Sequence, residues 1–161
     1  MKEEIEIYCG NGKGKSTLAM GLSIKAALQE KSVIIIQFLK GKELGEYEAI
    51  ENLNGVDIKI FRFEKLDAFF EDLTPEEQEE ESRNIRNGVN FARKVIATDE
   101  CDFLVLDEIL GLPDIGIITE ETIEDLLKAR RDEGMHIVMT GRVCPDSLRK
   151  YADRVTTLTT E

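Results

Sequence analysis

The sequence predicts an α/β fold in which a mostly parallel β-sheet is covered by helices. Two observations support this prediction. Short apolar runs rich in β-branched residues, such as Val33–Ile36 and Phe103–Leu106, are typical of strands that are buried on both faces. Segments with helical periodicity separate these runs, and strands that alternate with helices favour a parallel sheet with right-handed crossovers.

The first half of the chain predicts three strands and one helix. Ile5–Cys9 alternates and ends at a glycine cluster, which indicates a first strand followed by a loop. Leu18, Leu22 and Ala26 recur every four residues, so a helix over 16–29 is expected to pack one face against the sheet. Further strands are predicted over 33–36 and 56–61, with a loop over 41–45 and irregular structure over 65–73.

The second half begins with a strong helix signal. Thr74, Pro75 and Glu77 supply an N-cap, a proline at the first helical position and a glutamate three residues after the cap. The acidic run Glu79–Glu81 in this helix is expected to face solvent. Later elements are a strand over 103–108, a helix capped by Thr119 and stopped by Gly134, a strand over 137–140 opened by a structural His136, and a last strand over 155–158.

Length and composition predict one globular domain over residues 1–161. The chain has 42% apolar and 34% charged residues, and its net charge of −12 disfavours a nucleic-acid partner. The sequence has no apolar signal region and no run long enough for a membrane span, so we expect a cytoplasmic protein without a membrane partner. Three widely spaced cysteines, Cys9, Cys101 and Cys144, are expected to be reduced structural thiols.

A glycine-rich loop between the first strand and the first helix predicts a phosphate site. The loop reads Gly10, Asn11, Gly12, Lys13, Gly14, Lys15, Ser16, Thr17. In such loops the glycines let backbone N–H groups point inward, the lysine reaches phosphate oxygens and the hydroxyl binds Mg²⁺. Strict spacing of this motif puts Cys9 where the first glycine usually stands. With its flanking strand and helix, the loop predicts a P-loop NTPase-like (RecA-like) three-layer α/β/α domain that binds ATP.

Carboxylates at the end of a later strand predict the metal part of this site. Asp107 and Glu108 end an apolar strand, where such folds present a carboxylate to Mg²⁺ opposite the Ser16 hydroxyl. Arg142 leaves the next strand at the same edge and would stabilise phosphate charge. The alternative for Asp107 and Glu108 is that both carboxylates are simply solvated at a strand end. The alternative for Arg142 is a surface arginine without a ligand role.

The motifs together resemble a known family. The loop from Gly10 to Thr17, the segment Ile36–Gly41, the strand end Val105–Glu108 and the tripeptide Thr140–Arg142 are similar, in this order, to the P-loop class of ATP:corrinoid adenosyltransferases. The resemblance implies that a Co(I) corrinoid, such as cob(I)alamin or cob(I)yrinic acid a,c-diamide, attacks C5′ of ATP and releases triphosphate. It implies that Gly10–Thr17 hold the triphosphate in an orientation that exposes the ribose.

The resemblance also implies roles for individual residues and partners. Ser16 and Glu108 would bind Mg²⁺ with Asp107 as a neighbouring candidate, and Lys15, Glu108 and Arg142 would be the catalytic residues. A flavodoxin-like reductase would supply Co(I), and the protein would be a homodimer. The chain has no tryptophan, and among its phenylalanines Phe69 and Phe70 are the predicted corrin contacts, with core or loop packing as the alternative.

Two other functions are compatible with the ATP site. A P-loop ATPase or kinase would cleave the γ-phosphate, and Glu108 would then orient the attacking water or acceptor. A non-catalytic, ATP-dependent binding module would bind ATP without turnover. The phosphate product separates the three possibilities.

Overall fold

The computed structural model describes residues 3–39, 49–132 and 134–161, in which six strands form one fully parallel sheet. The strands follow the order β3-β2-β4-β5-β1-β6 across the sheet. This arrangement confirms the predicted α/β fold class and separates β1 from β4 by one strand, β5. The strands are β1 (Ile5–Cys9), β2 (Val33–Gln37), β3 (Ile58–Arg62), β4 (Phe103–Asp107), β5 (His136–Thr140) and β6 (Arg154–Thr157).

The three helices that the sequence predicts begin within one residue of their expected starts. The first helix, α1, spans Lys15–Leu28, and the long helix α2 spans Pro75–Thr98. The Thr74 hydroxyl accepts a hydrogen bond from the Glu77 N–H at 3.2 Å, and the Glu77 carboxylate accepts one from the Thr74 N–H at 3.0 Å. This capping box confirms the predicted start of α2. Two further helices are α3 (Glu120–Lys128) and α4 (Asp146–Arg149), and 3₁₀ turns lie at Phe70–Asp72 and Ile109–Gly111.

Two apolar clusters on opposite faces of the sheet produce three layers. Because side chains alternate along a strand, neighbouring residues of one strand belong to different clusters. One face packs against α2 and α3, and the other packs against α1. The first cluster includes Ile34, Ile36, Leu104, Leu106, Ile85, Ile96 and Ile123, and the second includes Val33, Ile35, Val105, Val138, Ala19 and Ala26.

The end of α3 differs from the prediction. The helix ends at Lys128 with Ala129 as its C-cap, several residues before Gly134. The Arg130 guanidinium donates hydrogen bonds to the Met135 carbonyl at 2.7 Å and to the Glu3 carbonyl at 2.8 Å. The first bond is local and the second joins residues far apart in the sequence, and both hold the segment after α3 near the starts of β1 and β5. The helix thus ends earlier than its glycine signal indicates.

The prediction that Glu79–Glu81 faces solvent is wrong for Glu81. Its side chain is only 2% exposed, and its carboxylate accepts hydrogen bonds from the N–H groups of Lys65 (3.0 Å) and Leu66 (3.2 Å). These amides lie in the irregular segment after β3, where they need an acceptor from outside a strand ladder. Glu81 therefore anchors that segment to α2.

Smaller differences concern the segments around β2 and β3. The third strand begins at Ile58, two residues later than predicted, and continues to Arg62. The predicted loop over 41–45 and the last two residues of the segment Ile36–Gly41 lie outside the described residues. Within the described ranges, no helix has the length and apolar character needed to cross a membrane.

Candidate active site

The predicted site residues meet at the edge of the sheet where the parallel strands end. Cys9 ends β1, Asp107 ends β4 and Thr140 ends β5. Tyr8 is paired with Thr140 in the register of β1 and β5, and Gln37 is paired with Asp107 in the register of β2 and β4. The segments that follow these strands therefore start side by side, as expected for a ligand site in an open α/β sheet.

The glycine-rich loop connects β1 to α1 and wraps around the Lys15 side chain. Gly10 and Gly14 have φ angles of 108° and 102°, which residues with a side chain rarely adopt. The Lys15 ammonium donates hydrogen bonds to the carbonyls of Gly10 at 2.7 Å and Gly12 at 2.8 Å. The structure thus places a positive charge inside the loop.

The segment after β6 lies against the outside of this loop. Gly12 N–H donates to the Leu158 carbonyl at 2.9 Å, and Leu158 N–H donates to the Cys9 carbonyl at 2.8 Å. A Cβ atom at Gly10 would lie 2.3 Å from the Leu158 oxygen, and one at Gly12 would lie 2.6 Å from it. The close approach of Leu158 therefore requires glycine at both positions, apart from any contact with phosphate. Lys13 N–H also donates to the Thr160 hydroxyl at 2.9 Å.

The start of α1 has the properties of an anion site. Gly14 is its N-cap, and among the described residues no side chain caps the helix. The first N–H groups of a helix lack intrahelical acceptors, and the helix dipole favours negative charge there. Asn11, Lys13 and Thr17 are exposed around this position, so a triphosphate has access to the loop and the first turn.

A hydroxyl and a carboxylate stand together beside the loop. The Ser16 hydroxyl lies 3.1 Å and 3.0 Å from the two carboxylate oxygens of the fully buried Asp107. The Thr140 hydroxyl donates to Asp107 at 2.7 Å and accepts a hydrogen bond from the Glu108 N–H at 2.8 Å. These bonds orient Asp107 toward Ser16 and link the ends of β4 and β5.

Oxygen atoms of this kind fit Mg²⁺. Mg²⁺ prefers hard oxygen ligands and is usually held by one or two carboxylates together with phosphates of the substrate. No group of three or more His, Cys, Asp or Glu residues with metal-binding geometry occurs in the described part of the chain. A shared protein–phosphate site at Ser16 and Asp107 does not need such a group.

Glu108 and Arg142 flank this pair from two strand ends. Glu108 follows β4 with a φ of 65°, a left-handed conformation that is uncommon outside glycine. Arg142 is exposed, and its carbonyl accepts the Gly10 N–H at 2.7 Å. The structure thus brings Arg142 next to the loop through its backbone, and the contact of its guanidinium with phosphate remains a prediction.

The two predicted corrin contacts differ in exposure. Phe69 is 40% exposed, whereas Phe70 is half-buried and packs against the core cluster below α2. Phe61 and Phe63 pack against Phe91 of α2, with ring centroids 4.7 Å and 5.6 Å apart. Phe70 thus packs against the core, as the alternative expects, and corrin contact by Phe69 and Phe70 remains a prediction.

Sequence reasoning missed the contributions of Thr140 and Glu64. Thr140 belongs to the motif that led to Arg142, but its hydroxyl contacts Asp107 and Glu108 only because β5 lies next to β4. Glu64 accepts a hydrogen bond from the Leu39 N–H at 2.6 Å, which no local pattern indicates. Burial raises the pKa of Glu64 above its usual value, and the nearby Glu81 carboxylate raises it further, against the Leu39 hydrogen bond and Arg62.

Of the residues predicted to be structural, His136 lies at the opposite edge of the sheet and the three cysteines are buried. His136 begins β5 at the opposite edge of the sheet and contacts the Glu6 carboxylate at 2.6 Å. Cys9, Cys101 and Cys144 are all buried and free. Burial raises the pKa of the Cys101 thiol to about 12 and raises that of Cys144, which keeps both thiols protonated.

Comparisons with known proteins agree with the motifs. A family model described as ATP:corrinoid adenosyltransferase BtuR/CobO/CobP matches residues 1–161. The corrinoid adenosyltransferases of Escherichia coli K12 and of Salmonella typhimurium LT2 are each 28% identical to this chain; each match covers 96% of the chain and 75% of the relative. An uncharacterised Nostoc protein is 31% identical over 93% of the chain, which spans only 42% of that protein's length.

Proposed function

We propose that this chain, which belongs to the ATP:corrinoid adenosyltransferase family, transfers the adenosyl group of ATP to a Co(I) corrinoid. The observation that carries the proposal is the family match over the whole chain. The geometry of the candidate site supports it, because a lysine-filled glycine loop stands beside a hydroxyl–carboxylate pair suited to Mg²⁺ and triphosphate. We further propose that residues 1–161 act as one nucleotide-binding domain and that the protein is a homodimer.

The reaction balances without proton transfer by the protein. Co(I) attacks C5′ of ATP with an electron pair, the cobalt–carbon bond forms, and the C5′–O bond breaks. The electron pair of that bond leaves with triphosphate, and cobalt is formally oxidised to Co(III). A reductase, proposed to be flavodoxin-like, would supply the corrinoid in its Co(I) state before the transfer. The protein's task is therefore to position C5′ and to stabilise a highly charged leaving group.

The residues of the site suit this task. Lys15 would exchange its bonds to the loop carbonyls for bonds to phosphate oxygens, and Arg142 would add a second positive charge from the neighbouring loop. Ser16, Asp107 and Glu108 supply the oxygens that would hold Mg²⁺. When bound, Mg²⁺ would neutralise part of the triphosphate charge. Phe69 offers an exposed apolar surface for the corrin ring.

An anaerobic assay with ATP, Mg²⁺ and chemically reduced cobalamin tests the proposal. We expect loss of the Co(I) absorbance, formation of adenosylcobalamin and release of triphosphate, identified by ³¹P NMR. Orthophosphate without an adenosylated corrinoid would show an ATPase or kinase instead. ATP binding without turnover of cobalamin or of smaller corrinoids would show a binding module.

A pair of carboxylate variants tests the site within the same assay. Glu108→Gln should lower turnover at least tenfold while the protein stays folded, since the change is isosteric at a strand end. Glu100→Gln is the matched control, because Glu100 is exposed before β4 at the other edge of the sheet. Equal turnover of the two variants would remove Glu108 from the mechanism.

A further inference from the structure

Leu39 and Glu64 occupy equivalent positions at the ends of two neighbouring strands. Gln37 and Arg62 are the paired last residues of β2 and β3, and Leu39 and Glu64 each follow them by two residues. Leu39 has a φ of 57°, a left-handed conformation that is unfavourable for a leucine. Its N–H donates to the Glu64 carboxylate at 2.6 Å, a short charge-assisted hydrogen bond that compensates for this strain.

Leu39, the residue with the strained backbone, lies beside the candidate site. The Phe38 N–H donates to the Asp107 carbonyl at 2.9 Å, so the chain leaves β2 next to the end of β4. A Cβ atom at Gly111 would lie 3.2 Å from a methyl carbon of Leu39 and 3.9 Å from a carboxylate oxygen of Glu108. Leu39 and Glu108, both left-handed, thus approach the same glycine of the turn after β4.

We propose that Glu64 is a positioning residue of this site: its carboxylate holds Leu39 in the left-handed conformation and thereby fixes the surroundings of Glu108. The proposal rests on the proposed function for its catalytic consequence. Its structural part, the bond that sets Leu39, is testable without any activity. Glu64 is the acceptor that this turn needs, because a backbone N–H left without a partner in a half-buried position is costly.

The charged groups around Glu64 give the proposal a pH signature. Arg62 on β3 and Glu81 on α2 are the charged groups that act on its carboxylate, and Glu81 is itself held by the amides of Lys65 and Leu66. Because burial keeps the Glu64 pKa above that of an ordinary glutamate, its carboxylate is neutralised at a higher pH than an ordinary glutamate would be. The charge assistance of the bond to Leu39 is then lost as the pH falls through this raised pKa.

Two substitutions and one matched control test the role of Glu64. Glu64→Ala removes the acceptor, whereas Glu64→Gln keeps an oxygen but not the charge. Asp102→Asn is the control, because the Asp102 carboxylate accepts the Ser32 N–H at 2.9 Å just before the other end of β2. Thermal unfolding of the wild type and of these three variants reports whether all four proteins fold alike.

The first readout is the amide of Leu39 in ¹⁵N-resolved NMR spectra. We expect its proton shift to titrate with a midpoint above that of an ordinary glutamate in the wild type and in Asp102→Asn. We expect no such titration in Glu64→Gln and loss of hydrogen-exchange protection in Glu64→Ala. A Leu39 amide that behaves alike in all four proteins overturns the proposal, whether or not the protein transfers adenosyl groups.

The second readout compares the effect of each substitution on kcat with its effect on the affinity for tripolyphosphate. We expect Glu64→Ala to lower kcat by roughly 10- to 100-fold, as for loss of a hydrogen bond to a charged group. Tripolyphosphate affinity should stay within about twofold, since Lys15 and the glycine loop do not contact Glu64. Glu64→Gln should retain more activity and lose the acid-side decline of the pH profile. An unchanged kcat in Glu64→Ala would overturn the positioning role. So would a fall in kcat that is accompanied by an equally large fold-loss of tripolyphosphate affinity and by a lower melting temperature, since that pattern indicates general destabilisation.

The wild type serves as the reference for the proposed function itself. If the wild type transfers no adenosyl group, the proposed function fails, and the coupling of Glu64 to the site is then measured by the gain in ATP affinity on adding Mg²⁺. We expect Glu64→Ala to reduce this gain at least threefold and Asp102→Asn to leave it unchanged. An unchanged gain in Glu64→Ala refutes the coupling.

Discussion

The Thr140 hydroxyl holds the ends of β4 and β5 together, and we predict that Thr140→Val destabilises the protein by about 2–4 kcal/mol. A hydrogen bond to a charged group such as Asp107 contributes about 1.5–3 kcal/mol, and a half-buried N–H that loses its acceptor, here that of Glu108, costs up to about 1–3 kcal/mol. Both effects come from one fully buried hydroxyl, and local relaxation keeps the total below their sum. Valine has nearly the same volume, so no cavity adds to the effect.

Urea unfolding followed by far-UV circular dichroism measures this change, since the chain has no tryptophan to report by fluorescence. For a chain of this length, about 2–4 kcal/mol corresponds to a melting temperature lower by roughly 5–15 °C. Thr140→Ser keeps the hydroxyl and should lose about 1 kcal/mol for its missing methyl group. Thr156→Val, the same change at a half-buried position of β6, is the control. A Thr140→Val protein within about 0.5 kcal/mol of the wild type would refute the reasoning.

Three further changes probe the loop and the opposite edge of the sheet. Lys15→Ala should weaken ATP binding by roughly 10- to 100-fold in calorimetry, because it removes the positive charge inside the loop; unchanged affinity would contradict the site assignment. Gly12→Ala should lower the free energy of unfolding, measured in urea, by about 1–3 kcal/mol, because its methyl group would lie 2.6 Å from the Leu158 backbone. Wild-type stability of this variant would show that the Leu158 segment moves aside at no cost. The Glu6 pKa is lowered chiefly by its hydrogen bond with His136, so the stabilisation is present above the unfolded-state pKa and is lost as the pH falls through the lowered folded-state value. Glu6→Gln should therefore be less stable than the wild type at neutral pH, with a difference that shrinks in acid; a constant difference in urea midpoints across this range would contradict the assignment.

The sequence predicted the elements whose signals are local. The cap at Thr74 and the proline after it define the start of α2 within a few residues, and the buried strands Val33–Gln37 and Phe103–Asp107 stand out as apolar runs. The predictions failed for the end of α3 and for the exposure of Glu81. Arg130, just after α3, bonds to residues near two strand starts, and Glu81 is buried where it accepts hydrogen bonds from the chain after β3.

The candidate site follows the same division. The glycine loop and the carboxylates Asp107 and Glu108 are recognisable from residue type and spacing, since each motif ends a strand. The partners Thr140, Leu158 and Glu64 are not recognisable, because each contacts the site through a different strand.

By itself, the sequence determined the fold class, the position of the glycine-rich loop and the resemblance to one family, because periodicity, capping and motif spacing act over a few neighbouring residues. Only the tertiary structure decided the order of the strands, and that order brings β5 beside β4 and the segment after β6 against the loop. Backbone pairing in a parallel sheet is nearly independent of side-chain identity, so neighbouring strands are selected by the packing of the whole sheet. The surroundings of Lys15, Asp107 and Glu108 are a consequence of that packing.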